Sequence, residues 1–225
     1  MSTLTLLRHG QASFGADRYD ALSDRGREQS ERVGAHLLER GRRFDRIWIG
    51  PRDRHRLTAR HSLVPLGLDW EGEAEESLNE FAEGQQILAS AQARRGVQLR
   101  GEGAVLGKDA ARYYAQEIDA WARAQVDIPD VPPVRAFRAI VARWLQRATT
   151  ESDAPGQSIL AVTSGGVIAS VMAEVLGLPD EAIGSLMHAV YNGSLSEFVF
   201  SAGRPPSLVS FNGASFLPDE LLTRV

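Results

Sequence analysis

The chain contains no cysteine, which excludes disulfides, thiolate metal sites and a cysteine nucleophile together. No stretch approaches the length of apolar chain needed to span a bilayer, and the first residues lack the charged and apolar regions of a secretory signal. These absences predict a cytoplasmic protein without a membrane partner. A basic excess is missing too. Lys and Arg number 25 against 29 Asp and Glu, for a net charge of −4 and a pI near 5.8. Nothing general is available to displace counterions from nucleic acid, so an anionic ligand needs a local basic pocket. There is no internal repeat and no low-complexity tract. The five histidines show neither helical ligand pairing nor a carboxylate at ligand spacing, so no metal constellation is legible. What is present, 43% hydrophobic and 24% charged residues over 225 positions, suits one large globular domain with a substantial core.

Leu4-Thr5-Leu6-Leu7 runs straight into Arg8-His9-Gly10. The apolar run is too short for a helix and suits a strand covered on both faces. The carboxyl end of such a strand is where an open α/β sheet places its ligands. Two readings are open there. In one, neutral His9 attacks phosphorus, Arg8 binds the anion and disfavours protonation of its neighbour, and Gly10 lets the backbone turn or approach a ligand. In the other, a surface turn happens to hold Arg and His.

Further landmarks follow in order. Residues 11–22 read as a loop that could cover the site. Ser23 or Asp24 caps a helix that buries Gln29, Val33 and Leu37 and ends at Gly41, and residues 45–49 form a second strand stopped by Gly50-Pro51. The next helix begins unusually basic. Arg52, Arg56 and Arg60 read as a solvated face, whereas Arg54, in the first turn beyond a strand end, can hold a phosphate with both prongs of its fork. After a solvated acidic tract at 71–76, Glu80 falls between Leu78 and Phe81, apolar neighbours able to desolvate a carboxyl group and suit it to general-acid work.

Residues 85–130 read as a helical insertion serving as a lid: a helix at 85–95, a glycine-rich mobile loop at 96–107, and an amphipathic helix marked by Ala110, Tyr114, Ile118 and Trp121. Pro132-Pro133 open another amphipathic helix carrying Phe137, Ile140, Val141, Trp144, Leu145 and Ala148. A turn at 153–156 precedes a second buried strand, 158–163. That strand meets Ser164-Gly165-Gly166 at a helix amino end, an arrangement suited to an anion, with Ser164 available as N-cap, as ligand or as both. His188 reads as structural or as facing the site. Strands at 195–200 and 207–211, joined by Gly203-Arg204-Pro205-Pro206, close the chain as a hairpin.

Taken together, Arg8-His9-Gly10, Arg54 followed by Thr58-Ala59, Leu78-x-Glu80 with Gly84, and the strand ending in Ser164-Gly165-Gly166 resemble the histidine phosphatase superfamily, also called the phosphoglycerate mutase-like group. The resemblance covers most of the chain, and residues 85–130 least. It implies a single α/β domain over 1–225, a three-layer α/β/α sandwich around a mainly parallel sheet with the helical lid inserted. It implies a phosphohistidine on His9, phosphate held by Arg8 and Arg54, and Glu80 as the acid that protonates the leaving group; Ser164 and Gly165, at the helix amino end, are read beside them as substrate-binding. No metal or other cofactor is implied. The partner is a small phosphorylated substrate or a phosphoprotein, and the oligomeric state stays open.

Two departures from the family pattern bear on activity. Ser164 stands where a second histidine is expected, and it offers one hydrogen bond without positive charge. Losing such a stabiliser costs roughly 10²- to 10³-fold in rate. Gly15 stands where the mutase branch usually carries an asparagine that touches phosphate. These changes favour a slow phosphatase over a mutase, with a non-catalytic phosphate-binding protein as the alternative. A large gain in turnover in Ser164→His would show that the site is assembled but under-powered.

Overall fold

Alternate residues of three strands feed two separate cores. In β1 (Ser2–Arg8), Leu4 and Leu6 enter one core and Leu7 the other. In β4 (Ser158–Thr163), Ile159 and Ala161 join the first core, Leu160 and Val162 the second. Trp48 and Ile49 of β2 (Arg46–Ile49) divide in the same way. Strands that are apolar on both faces must be covered on both, and the period of two turns this into three layers. Helices α1 (Asp24–Glu39) and α2 (Asp53–Leu63) cover one face through Val33, Leu37, Ala59 and Leu63. Helices α5 (Val134–Thr150) and α6 (Gly165–Val175) cover the other through Phe137, Trp144, Val167 and Val171. This computed structural model describes residues 1–13, 20–68, 71–99, 104, 107–150, 156–201 and 204–224.

The six-stranded sheet has the order β3-β2-β4-β1-β5-β6, with β3 at Glu73–Ala74, β5 at Leu195–Ser201 and β6 at Arg204–Gly213. The four strands from β3 to β1 are parallel, and the β5–β6 hairpin pairs antiparallel to β1, so the sheet is mixed. Register decides where the chemistry lies. Arg8 pairs with Thr163 and Ile49 with Val162, so the loops after β1, β2 and β4 leave the sheet side by side at one edge.

Several elements differ from the sequence reading. The acidic tract holds the two-residue strand β3, short and exposed as an edge strand must be. Pro205 and Pro206 lie within β6 and not in the connection, which an outer strand tolerates because its far side needs no N–H donors. Helix α7 (Ala182–Ala189), unanticipated, carries His188. Helices α3 (Gly84–Arg95) and α4 (Lys108–Ala122) place Ile87, Ile118 and Trp121 in the same core as the sheet. Gly15, residues 153–155 and most of the 100–106 connection lie outside the described residues.

Candidate active site

His9 leaves β1 with its backbone N–H bonded to the Thr163 carbonyl at 2.9 Å, a direct result of the β1–β4 register. The Asn192 side-chain amide donates to the His9 carbonyl at 3.2 Å. The ring is buried at 7% exposure, and its Nδ1 lies 2.7 Å from the Gly10 carbonyl. Facing a carbonyl, Nδ1 must be the donor, so the neutral ring presents a bare Nε2. Burial, then the charges of Arg54, His55 and Arg8, holds the imidazole well below its usual pKa of 6.5. A free lone pair at neutral pH is what nucleophilic attack requires.

The glycine after His9 is dictated by packing. A Cβ on Gly10 would sit 2.3 Å from the Gly26 carbonyl oxygen, where the first turn of α1 presses on the loop. Ser23 starts that helix as expected, its hydroxyl accepting from the Gly26 N–H at 3.0 Å.

Two guanidinium groups flank the ring. Arg54, in the first turn of α2 and 5% exposed, donates from Nε to His9 Nε2 at 3.2 Å and from Nη1 to Asp20 at 2.7 Å. Arg8 is held by the Val190 carbonyl at 2.5 Å and the Arg224 carbonyl at 2.8 Å. Its Nε is buried without a hydrogen-bond partner and lies beside Gly165, whose Cβ, were there one, would be 3.5 Å away. Burial lowers the Arg8 pKa to about 10, with Glu80 opposing, so it stays cationic at neutral pH. A buried N–H donor without a partner is costly and therefore uncommon in folded proteins, and this one has the chemistry to bond an anion.

Glu80 approaches from the opposite wall. Its carboxylate accepts from the Gly166 N–H at the amino end of α6 at 3.2 Å and from the Phe81 N–H at 3.1 Å. A Cβ on Gly166 would fall 2.1 Å from Glu80 Oε1, so the glycine opens the seat that the carboxylate takes. Arg8, His9, Arg54, Glu80 and Gly165 thus line one cleft, together with Tyr114, Ile118, Met187, His188 and Asn192.

Ser164 is placed differently from the expectation of a direct ligand contact. It occupies the N-cap position of α6 but its side chain makes no capping bond. It is fully buried, and its Oγ lies 2.7 Å from His55 Nε2. Arg52 also departs from the solvated reading: it is half-buried, donates to Asn79 at 2.6 Å and pairs with Glu83. Arg56 and Arg60 are exposed as read. His188 does reach the cleft, with its Nε2 3.1 Å from Asp119 Oδ1.

Sequence reasoning missed Asp20 and His55. Asp20 sits in a polar loop with no periodic signal, and His55 lay hidden in a basic run. Its only cue was its place beside Arg54.

In solved structures the same fold recurs. The alpha-ribazole phosphatase from Shigella flexneri is 23% identical, covering 94% of this chain and 96% of its own, with a TM-score of 0.63. A mycobacterial glucosyl-3-phosphoglycerate phosphatase is 20% identical, with coverages of 95% and 99% and a TM-score of 0.65. A mutant phosphoserine phosphatase from Entamoeba histolytica, in complex with phosphoserine, is 17% identical, with coverages of 97% and 100% and a TM-score of 0.56. No curated protein is significantly similar in sequence. The family model described as histidine phosphatase superfamily (branch 1) matches residues 4–95 and 101–213, spanning both the His9 strand and the Ser164 strand. The chain belongs to the histidine phosphatase superfamily, branch 1.

Proposed function

We propose that the protein is a phosphomonoesterase that works in two steps through a phosphohistidine on His9. The observation that carries this reading is the His9 ring itself: Nδ1 committed to Gly10, Nε2 unprotonated, and two guanidinium groups beside it. In the first step the Nε2 lone pair forms a bond to phosphorus while the bond from phosphorus to the ester oxygen breaks. Glu80, in its acid form, gives that oxygen its proton. In the second step water attacks the phosphohistidine, Glu80 takes the water's proton, and the nitrogen–phosphorus bond breaks to release phosphate. Arg8 and Arg54 hold the phosphoryl oxygens, and their fixed positive charge does the work that a metal ion does elsewhere. As the phosphoryl group arrives, Arg54 exchanges its bond to His9 Nε2 for one to an oxygen.

Ala82, Ile118 and Met187 give the cleft an apolar wall, whereas Tyr114, His188, Asn192 and Arg224 give it polar and cationic groups. That mixture suits a small leaving group with both an apolar and a polar part. We assign residues 85–130 to this side of the cleft as the element that selects the substrate. A cytoplasmic location remains part of this proposal; among the described residues, no helix is long and apolar enough to cross a membrane.

An aryl phosphate offered in the presence of chelator is hydrolysed by the wild-type protein and not by His9→Ala. Equal rates in the two proteins, or a rate abolished by chelator, contradict the proposal. A phosphate-binding protein without turnover would instead bind phosphate esters tightly and leave no acid-labile phosphoenzyme.

A further inference from the structure

The imidazole that the family pattern leads one to expect at position 164 has a counterpart nearby. His55 stands next to Arg54 in the first turn of α2, is fully buried, and has its ring centroid 5.5 Å from that of His9. Its Nε2 meets the Ser164 hydroxyl at 2.7 Å. The pocket is shaped for the ring. A Cβ on Gly50 would lie 2.2 Å from His55 Nδ1, so the strand end gives way to glycine where the ring passes. Nδ1 lies against the Gly50 backbone, whose bond to the ring acts against the lowering of its pKa by burial, and Nε2 meets the Ser164 hydroxyl. Whichever nitrogen carries the proton of the neutral ring, Nε2 and the hydroxyl share one hydrogen bond.

The bond joins the two elements that carry the site. On one side His55 is adjacent to Arg54, which reaches His9 and Asp20. On the other, Ser164 is adjacent to Gly165, which lies on Arg8, and one residue further Gly166 holds Glu80. We infer that His55 is a positioning residue: from α2 it supplies the imidazole missing at position 164 and, through Ser164, fixes Arg54 relative to Arg8, His9 and Glu80. Ser164 is then the partner of a relocated ring, its short side chain making room for it. A histidine at 164 would collide with the ring of His55, so Ser164→His is expected to lower turnover and not to give the gain of an assembled but under-powered site.

This inference rests on the phosphatase reading above. The test uses hydrolysis of p-nitrophenyl phosphate by the full chain, with thermal melting recorded for every variant. Leucine at 55 keeps the bulk and removes the hydrogen bond to Ser164, whereas the glutamine amide, able to donate or accept, keeps a partner near the position of Nε2. His55→Leu is expected to lower kcat about 10- to 100-fold with little change in KM, and His55→Gln to retain kcat within about fivefold. Ser164→Ala, which leaves no packing gap larger than one oxygen, is expected to match the loss in His55→Leu, and the double variant to be no worse than either single. Wild-type kcat in both His55→Leu and Ser164→Ala, equal losses in His55→Leu and His55→Gln, or additive losses in the double variant each overturn the inference. If His55→Leu fails to fold, Ser164→Ala at wild-type kcat overturns it alone. Activity abolished by His9→Ala but indifferent to positions 55 and 164 removes this inference and leaves the phosphatase reading intact. No activity in the wild-type protein removes both.

Discussion

At residue scale the chemistry depends on which groups are charged and which are spoken for. Asp20 holds Arg54 at 2.7 Å and also accepts from the Asp53 N–H at 2.8 Å, so its carboxylate competes with a phosphoryl group for the same guanidinium. Asp20→Asn keeps an acceptor for Asp53 and removes the competing charge. Arg54 is buried and Asp20 about one-third exposed; taking about 1 kcal/mol for the pair, the variant should bind inorganic phosphate more tightly, by up to about fivefold in a competitive inhibition assay. Glu80 gives a leaving-group signature. Glu80→Gln should slow an alkyl phosphate by about 10²- to 10⁴-fold. A p-nitrophenyl ester, whose phenolate leaves without a proton, should be slowed far less. Burial and neighbouring cations keep His9 well below pKa 6.5, so the acid limb of kcat/KM should lie well below pH 6.5. A limb at 6.5 or above would mean an exposed, unperturbed ring. Arg8, His9, Arg54 and Glu80 could be picked out in the sequence because each stands beside a strand end or an apolar flank. Asp20 and His55 could not, since their partners lie 34 and 109 positions away and no local pattern encodes such distances.

At element scale, loops at one sheet edge are aligned by strand register, and helices pack against them without clearance. The close contact between Gly10 and Gly26 sets the distance of α1 from the nucleophile loop. Gly10→Ala forces a Cβ against a backbone carbonyl and should destabilise the fold by about 1–3 kcal/mol, read as a lower midpoint in chemical denaturation. Ser23→Ala, which loses the cap of α1 and the hydroxyl's bond to Gln11 Oε1, should cost about 1 kcal/mol. The long amphipathic helices and the buried strands were legible because burial imposes a period of 3.6 or 2 on their side chains. Helix α7 and strand β3 were not. Both are short, and β3 is exposed and held by its pairing with β2 rather than by any apolar stripe of its own. The two prolines of β6 read as a turn because propensity is local, whereas the strand exists through its ladder with β5.

At the scale of the whole molecule, two buried neutral imidazoles tie stability to pH. His9 and His55 both titrate well below 6.5 in the folded protein, through burial first and neighbouring arginines second. The unfolded chain therefore takes up protons before the folded one as pH falls. Stability from these rings is complete above about pH 6.5 and is lost below it. The slope reaches at most about 1.4 kcal/mol per pH unit for each ring until the folded state itself titrates. Denaturant titrations from pH 7 down to 5.5 should show that slope, and His55→Gln should remove one ring's share of it. The three-layer fold and the order of its landmarks were legible in the sequence because they follow from apolar patterning and from motifs at strand ends. The cross-connection between α2 and α6 emerges only when the chain closes on itself. The central claim is that the unprotonated Nε2 of His9 accepts the phosphoryl group. Rapid acid-free quenching during turnover of an aryl phosphate, followed by mass spectrometry of the peptide containing His9, tests it most directly. A phosphoryl group on His9 that forms and decays at the rate of turnover is the predicted result. Steady hydrolysis with no phosphate on that peptide would contradict the account.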